Sequence, residues 1–221
     1  QYLEKIISKN CPDKAVNVLY QGIDESDWFS QKGLELKHPC VGLLQGAEIW
    51  EKAKEMLILP KIIEKMPDVN FYWVGDGPYR DKILPALEKF DNFHWLGHLK
   101  YPDEVRKFFS EIDIYALVSG IDMSPHTLLE AALMKKPIIA TDVGGISESC
   151  KDGETCFLIK KNDSDDWINK ISTLLNNKPK MKEMGNRGHS YVMENFSWDK
   201  IADDFIGILE SKFNLGSDDK N

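Results

Sequence analysis

The chain has 221 residues, 42% of them hydrophobic and 29% charged, with a formal net charge of −8. That is apolar enough for a core of its own and excludes disorder as the main state. The acidic balance argues against a global electrostatic grip on nucleic acid or an anionic membrane, while leaving room for a local basic pocket. Residues 16–20 (VNVLY) alternate as a short strand and run into the turn Gln21-Gly22-Ile23-Asp24. A polar stretch over about 25–39 follows. Cys40-Val41-Gly42-Leu43-Leu44 reads as a buried strand, and 51–66 carries Leu and Ile at helical spacing with a kink at Pro60. Asn70–Val74 is an aromatic strand closed by Gly75-Asp76-Gly77-Pro78. Then come a helix at 79–89, a strand at 93–97, a helix at 102–110 and a strand at 112–118. A helix at 127–135, a strand at 136–141 and a short strand at 156–159 follow. Two or three helices, at 163–176, 178–194 and 198–213, finish the chain before a tail, GSDDKN, that is expected to fray.

Strands alternating with helices predict an α/β fold, a Rossmann-like doubly wound parallel sheet with helices on both faces. In such sheets ligands bind beyond the carboxyl ends of the strands. Those ends are Leu43–Gly46, Gly75–Pro78, Gly97–Leu99 and Ser119–Thr127. No apolar run approaches the ~18–20 residues that span a bilayer, and QYLEKIISKN lacks the pattern of a signal peptide. Cys11, Cys40, Cys150 and Cys156 are scattered without a CxxC, so they read as reduced thiols of an intracellular protein.

The segment Ser119-Gly120-Ile121-Asp122-Met123-Ser124-Pro125-His126-Thr127-Leu128-Leu129-Glu130 is the richest in chemistry. A strand ends, a Gly-containing loop follows and a helix starts near Ser124–Thr127. A helix N-terminus suits a phosphate, and Ser124 and Thr127 add hydroxyls. Glu130, one turn further in, would repel phosphate and so suits a neutral diol such as a ribose. Asp122 is placed to accept from a second hydroxylated group. The plain alternative makes Ser124 an N-cap, Pro125 the first helical residue and Asp122 a loop carboxylate. Leu43-Leu44-Gln45-Gly46 supplies no dinucleotide fingerprint, which disfavours hydride chemistry. Asp142-Val143-Gly144-Gly145 is a tight turn whose glycines allow a close backbone approach. His94 and His189 read as structural or exposed, and Phe71, Tyr72, Trp73 and Trp95 as core rather than a stacking platform.

In chain order, Gln21-Gly22-Ile23-Asp24, Val74-Gly75-Asp76-Gly77-Pro78, Trp95-Leu96-Gly97-His98-Leu99, Asp113-Ile114-Tyr115, Leu128–Ala132, Lys136–Gly145, Asp152–Leu158 and Phe196-Ser197-Trp198 occur together. In that order the chain resembles the C-terminal, nucleotide-sugar-binding half of a retaining glycosyltransferase of the GT-B fold, family GT4, also called glycosyl transferases group 1. The resemblance implies residues 1–24 as a linker and leading strand, 25–195 as the Rossmann-like domain, and 196–221 as a C-terminal helix and tail. It places the N-terminal, acceptor-binding domain outside this chain. It implies a UDP- or GDP-hexose donor and a glycan, lipid or small-molecule acceptor. It implies no cofactor, no required metal and no nucleic acid. It also implies a cytoplasmic location, with peripheral association at the cytoplasmic membrane face through the absent domain.

By motif position, the family's paired carboxylates, seven residues apart, fall on Asp122 (donor sugar) and Glu130 (ribose). Ser124, His126, Thr127 and the amides that follow would hold the pyrophosphate. His98 and Leu99 fall where backbone reads the base, and Lys52 where a lysine stabilises the leaving diphosphate. The family's clamp arginine falls within Leu43–Glu48, where this chain has none; its arginines are Arg80, Arg106 and Arg187. Lys54 is the one nearby cation that could compensate. Pro125 removes one N–H from the donor cradle. These departures keep open a nucleotide-binding but catalytically inactive module; a UDP-N-acetylglucosamine 2-epimerase, which shares the fold, is the other alternative, disfavoured by the run from Glu130-Ala131-Ala132 to Gly144-Gly145.

Overall fold

The computed structural model describes residues 1–213. Its sheet is built from β1 (Cys40–Leu44), β2 (Asn70–Val74), β3 (Phe93–Gly97), β4 (Ile114–Leu117), β5 (Ile138–Thr141) and β6 (Phe157–Ile159). All pairings are parallel, in the order β3-β2-β1-β4-β5-β6. The helices are α1 (Tyr2–Asn10), α2 (Trp50–Ala53), α3 (Leu59–Lys65), α4 (Leu84–Leu87), α5 (Asp103–Glu111), α6 (His126–Leu133), α7 (Ile146–Ser149), α8 (Ser164–Leu175), α9 (Lys178–Phe196) and α10 (Trp198–Phe213).

A parallel sheet buries both faces, so its strands must be apolar at successive positions rather than at alternate ones. Phe71, Trp73, Ile114, Ala116 and Ile139 form one face with Ile62, Ile63, Trp167 and Ile171. Tyr72, Val74, Tyr115, Leu117, Ile138 and Ala140 form the other with Phe108, Phe109, Leu128, Leu129 and Val192. Each fully buried Leu, Ile or Phe contributes about 1.5–3 kcal/mol by leaving water. The strand order reverses between β1 and β4, which is where such folds open a crevice.

The expected Rossmann-like sheet is present, and the differences from expectation are local. Residues 16–20 form no ladder. Val16, Val18 and Tyr20 are half-buried while Asn17 and Leu19 are exposed, but the segment pairs with neither edge strand, β3 or β6. Only Ile23 pairs, as a single parallel bridge to Ser197. The 51–66 segment divides into α2, a 3-10 turn over Lys54–Ile58 and α3, with Pro60 in the first turn of α3 rather than at a kink. The 79–89 helix shortens to a 3-10 turn at Arg80–Lys82 and α4, again with a proline (Pro85) in the first turn. Helices α1 and α7 were not anticipated. The four-thiol expectation is also corrected: Cys150 and Cys156 are disulfide-bonded, leaving Cys11 and Cys40 free. The turn between them reverses the chain, with Gly153 at φ +75° donating to Cys156 O at 2.8 Å, and so brings the two Cα atoms within 6.0 Å. The tail expected to fray, 216–221, lies outside the described residues.

Candidate functional site

The four strand ends singled out in the sequence converge. Gln45, just past β1, is buried, and its side chain pairs with the backbone of Val118 beyond β4. Its Nε2 donates to Val118 O at 2.8 Å and Val118 N donates to its Oε1 at 2.9 Å. Its own carbonyl accepts from the Trp73 indole at 2.9 Å. Gly75 passes so close that a Cβ there would lie 2.0 Å from Gln45 O, and its φ of +149° disfavours other residues. Trp95 Nε1 donates to Gly75 O at 2.8 Å. These bonds make a stiff floor.

Above it lies a cleft of about 360 Å³, lined by Leu44, Gly46, Asp76, His98, Leu99, Tyr101, Thr127 and Glu130 among others. Thus four of the eight expected site residues (His98, Leu99, Thr127 and Glu130) share one cavity. Glu130 is 4% exposed. Burial pushes its carboxyl up to about 7, and the hydrogen bond from Tyr101 (Oη to Oε1, 3.4 Å) opposes that rise. Tyr115 Oη sits 2.7 Å from Thr127 Oγ1 and 3.1 Å from Leu44 O, fixing the start of α6 to the end of β1.

The start of α6 differs from the plain capping expectation. Pro125, in extended conformation, is the N-cap, and His126 opens the helix. Ser124 is exposed and makes no cap hydrogen bond. A capping hydroxyl is therefore absent, and the amides of His126 and Thr127 lie in the first turn, where no intrahelical acceptor exists. His126 is half-buried, its Nε2 has no partner, and burial lowers its pKa, which favours the neutral ring.

Lys52 and Asp122 meet elsewhere on the same loop cluster. Lys52 Nζ lies 2.5 Å from Asp122 Oδ2, an oxygen with this ammonium beside it and no aligned hydrogen-bond donor. The Gly144-Gly145 pair explains how Asp122 is held. Gly145 N donates to Asp122 O at 2.9 Å, and a Cβ on Gly144 (φ +59°) would lie 1.8 Å from that oxygen. The close approach expected of these glycines is to the Asp122 loop. Lys54 pairs with Glu51, so it is not a free second clamp. Leu43 is fully buried, while Arg80 is engaged by Asp76 and Asp81 and lies over the Trp95 ring. The second cation beside this loop is Lys161, whose Nζ donates to Gly120 O at 2.8 Å. Sequence reasoning missed Lys161, Tyr101 and the roles of Gln45 and Tyr115. Tyr101 carried the one available signal, since it closely follows the Gly97-His98-Leu99 strand end. His94 is structural, stacked on Tyr72 at 4.6 Å.

The fold is similar to that of several solved structures. Sucrose-phosphate synthase of Thermosynechococcus elongatus superposes with a TM-score of 0.81 at 19% identity, over 96% of this chain and 56% of that one. Anabaena HepE, solved in complex with UDP and glucose, gives 0.73 at 19% identity, over 88% and 56%. In sequence, an uncharacterized glycosyltransferase of Methanocaldococcus jannaschii is 29% identical over 91% of this chain and 55% of its own length. N-acetyl-alpha-D-glucosaminyl L-malate synthase of Bacillus anthracis is 27% identical over 95% and 56%. The chain thus spans about half the length of these curated relatives. Among the described residues no helix is long and apolar enough to cross a membrane. The sequence model of the glycosyl transferases group 1 family matches residues 40–177, more than half of the chain, and the chain belongs to that family.

Proposed function

We propose that the chain is the donor-binding domain of a retaining glycosyltransferase that takes a UDP- or GDP-hexose. The observation that carries this reading is Glu130, a carboxylate buried at the wall of a mostly apolar cleft, one turn inside α6. A buried carboxylate is costly unless something pairs with it, and a ribose diol supplies two donors of the right geometry. The diphosphate then lies at the first turn of α6, against the amides of His126 and Thr127, where the helix dipole favours negative charge. The base lies along Gly97-His98-Leu99 and is read by backbone. Lys52, with Lys161 nearby, meets charge as it develops on the leaving diphosphate. In the reaction the bond from the anomeric carbon to the diphosphate breaks, and its electron pair leaves on phosphate. A bond to the acceptor oxygen forms on the same face, and the acceptor's proton ends on the departing diphosphate. Asp122 holds the hexose through its hydroxyls. No step needs a metal. The acceptor, a glycan, lipid or small molecule, is bound by a separate domain.

The nucleotide-sugar reading is supported by the UDP-bound state of HepE and by the glycosyltransferase name of the Methanocaldococcus jannaschii relative. A thermal-shift panel of UDP, GDP, ADP and their hexose conjugates tests it, with Glu130→Ala as control. Stabilisation by one nucleotide class, abolished in the variant, is the expected result. Absence of any shift, in this chain and in its full-length parent, would refute it. A second reading, a nucleotide binder without turnover, is favoured by the Lys52–Asp122 pair, which occupies both donor-facing charges with each other. Sugar transfer to an acceptor by the full-length protein separates the two.

A further inference from the structure

At the amino ends of the strands, opposite the donor cleft, two short motifs face each other across neighbouring strands. His38-Pro39-Cys40 leads into β1 and Glu111-Ile112-Asp113 leads into β4. The register Val41↔Ile114 sets Cys40 beside Asp113, and Cys40 N donates to Asp113 Oδ2 at 2.8 Å. His38 Nδ1 lies 2.8 Å from Asp113 Oδ2 and 3.7 Å from Cys40 Sγ, and these three atoms all fall within 4.8 Å of one another. Glu111 Oε1 lies 3.0 Å from the other ring nitrogen, Nε2.

We propose that His38, Cys40 and Asp113 form a site for one zinc-class divalent ion, with water as the fourth ligand. Tetrahedral zinc with bonds of ~2.0–2.3 Å puts its N and S ligands about 3.6 Å apart and its N and O ligands about 3.3 Å apart. The N···S edge already has that length, and the N···O edge must open by roughly half an ångström. His38 can supply that movement because it is half-exposed. Glu111 on Nε2 is the carboxylate–histidine arrangement that orients metal-bound imidazoles. A cavity of about 750 Å³, lined by His38, Glu111 and Asp113, gives the ion a route and leaves room for water. A thiol, an imidazole and a single carboxylate favour zinc over magnesium or calcium.

As the ion binds, bonds form to nitrogen, sulfur and oxygen, and the protons those atoms carried pass to the buffer. Lys135, Lys136, Lys178 and Lys182 line the same cavity, with Glu111 and Asp113 as the carboxylates on the side of the site.

Cobalt(II) titration of the whole chain tests the site, since a thiolate ligand gives a near-ultraviolet charge-transfer band. The expected result is one equivalent bound, displaced by zinc, with affinity at least tenfold weaker in His38→Ala and the band lost in Cys40→Ser. Cys11→Ser should leave it unchanged. Zinc at a hundredfold excess over its dissociation constant should raise the melting midpoint by about 5–11 °C. Cys40 is fully buried, so if Cys40→Ser does not fold, Asp113→Asn replaces it, with cobalt affinity expected to fall at least tenfold and an unchanged affinity overturning the site. No band at saturating cobalt, or a cobalt affinity unchanged in His38→Ala, would overturn the proposal and leave His38 as a structural link between Glu111 and Asp113.

Discussion

Replacing Glu130 by Gln should stabilise this domain at alkaline pH while removing its grip on nucleotide. The carboxyl is held near pKa 7 by burial, against an ordinary value of 4.5. A carboxyl with a raised native pKa keeps its proton longer folded than unfolded, so stability falls as pH rises from about 4.5 through 7. With ~1.36 kcal/mol per pKa unit, the part of that loss between pH 5 and pH 8 is about 2.5 kcal/mol. Glutamine is isosteric, can still accept from Tyr101, and carries no charge to desolvate. It therefore resembles the protonated wild type, so the two proteins should have similar stability near pH 5. At pH 8 the variant should melt higher by about 5–10 °C, using roughly 2–4 °C per kcal/mol for a chain of this size. Melting midpoints at the two pH values, by circular dichroism, check this. A variant that is destabilised equally at both would show that the carboxylate is satisfied by the fold itself. It would then be a structural residue, and the ribose-binding reading would lose its main support. Gain of stability with loss of binding is what a site residue retained for function produces.

Three further substitutions test the parts around it. Gly144→Ala should destabilise by about 2–3 kcal/mol and loosen the Asp122 loop, because the residue has φ +59° and its Cβ would meet Asp122 O at 1.8 Å; urea denaturation reads the loss. Gln45→Leu leaves the N–H and C=O of Val118 unpaired inside the protein and should cost about 2–4 kcal/mol, measured the same way. Lys52→Met should weaken UDP or GDP by about tenfold and the corresponding nucleoside by little, as expected for a contact to phosphate; calorimetric titration of both ligands checks the difference.

The parallel order of the sheet was legible because strands buried on both faces are apolar at nearly every position. Cys40–Leu44 and Ile138–Thr141 cannot be read otherwise once helices separate them. The 16–20 segment shows the limit of the same reasoning. Its alternation is real in burial, but alternation reports which side chains face the protein, not whether the backbone meets a partner strand. Pro60 was misread for a related reason: a proline interrupts a helix or begins one, and only the packing of the preceding turn decides. In the site, Thr127 and Glu130 were readable because helical spacing links them. Lys161 reaches the Asp122 loop from 31 residues beyond Glu130, and local pattern carries no trace of such a contact. The Cys150–Cys156 bond was invisible because it depends on a reversal at Gly153, not on a spacing motif.

The missing clamp arginine and the Lys52–Asp122 pair are two aspects of one electrostatic problem. The diphosphate of a nucleotide sugar brings two negative charges, one per phosphate, to a chain whose formal net charge is −8. With Lys54 bound to Glu51 and Arg80 bound to two aspartates, Lys52 is the main side-chain counter-charge, and it is bound to Asp122. An incoming diphosphate competes with Asp122 for that ammonium. Asp122, left without it, is a mostly buried carboxylate that must find new donors at once. A hexose attached to the same diphosphate supplies them, whereas a free nucleotide does not. On the proposed function, this geometry predicts that a nucleotide sugar binds more tightly than the free nucleotide, and that Asp122→Asn removes the difference; calorimetric titration of both ligands checks it.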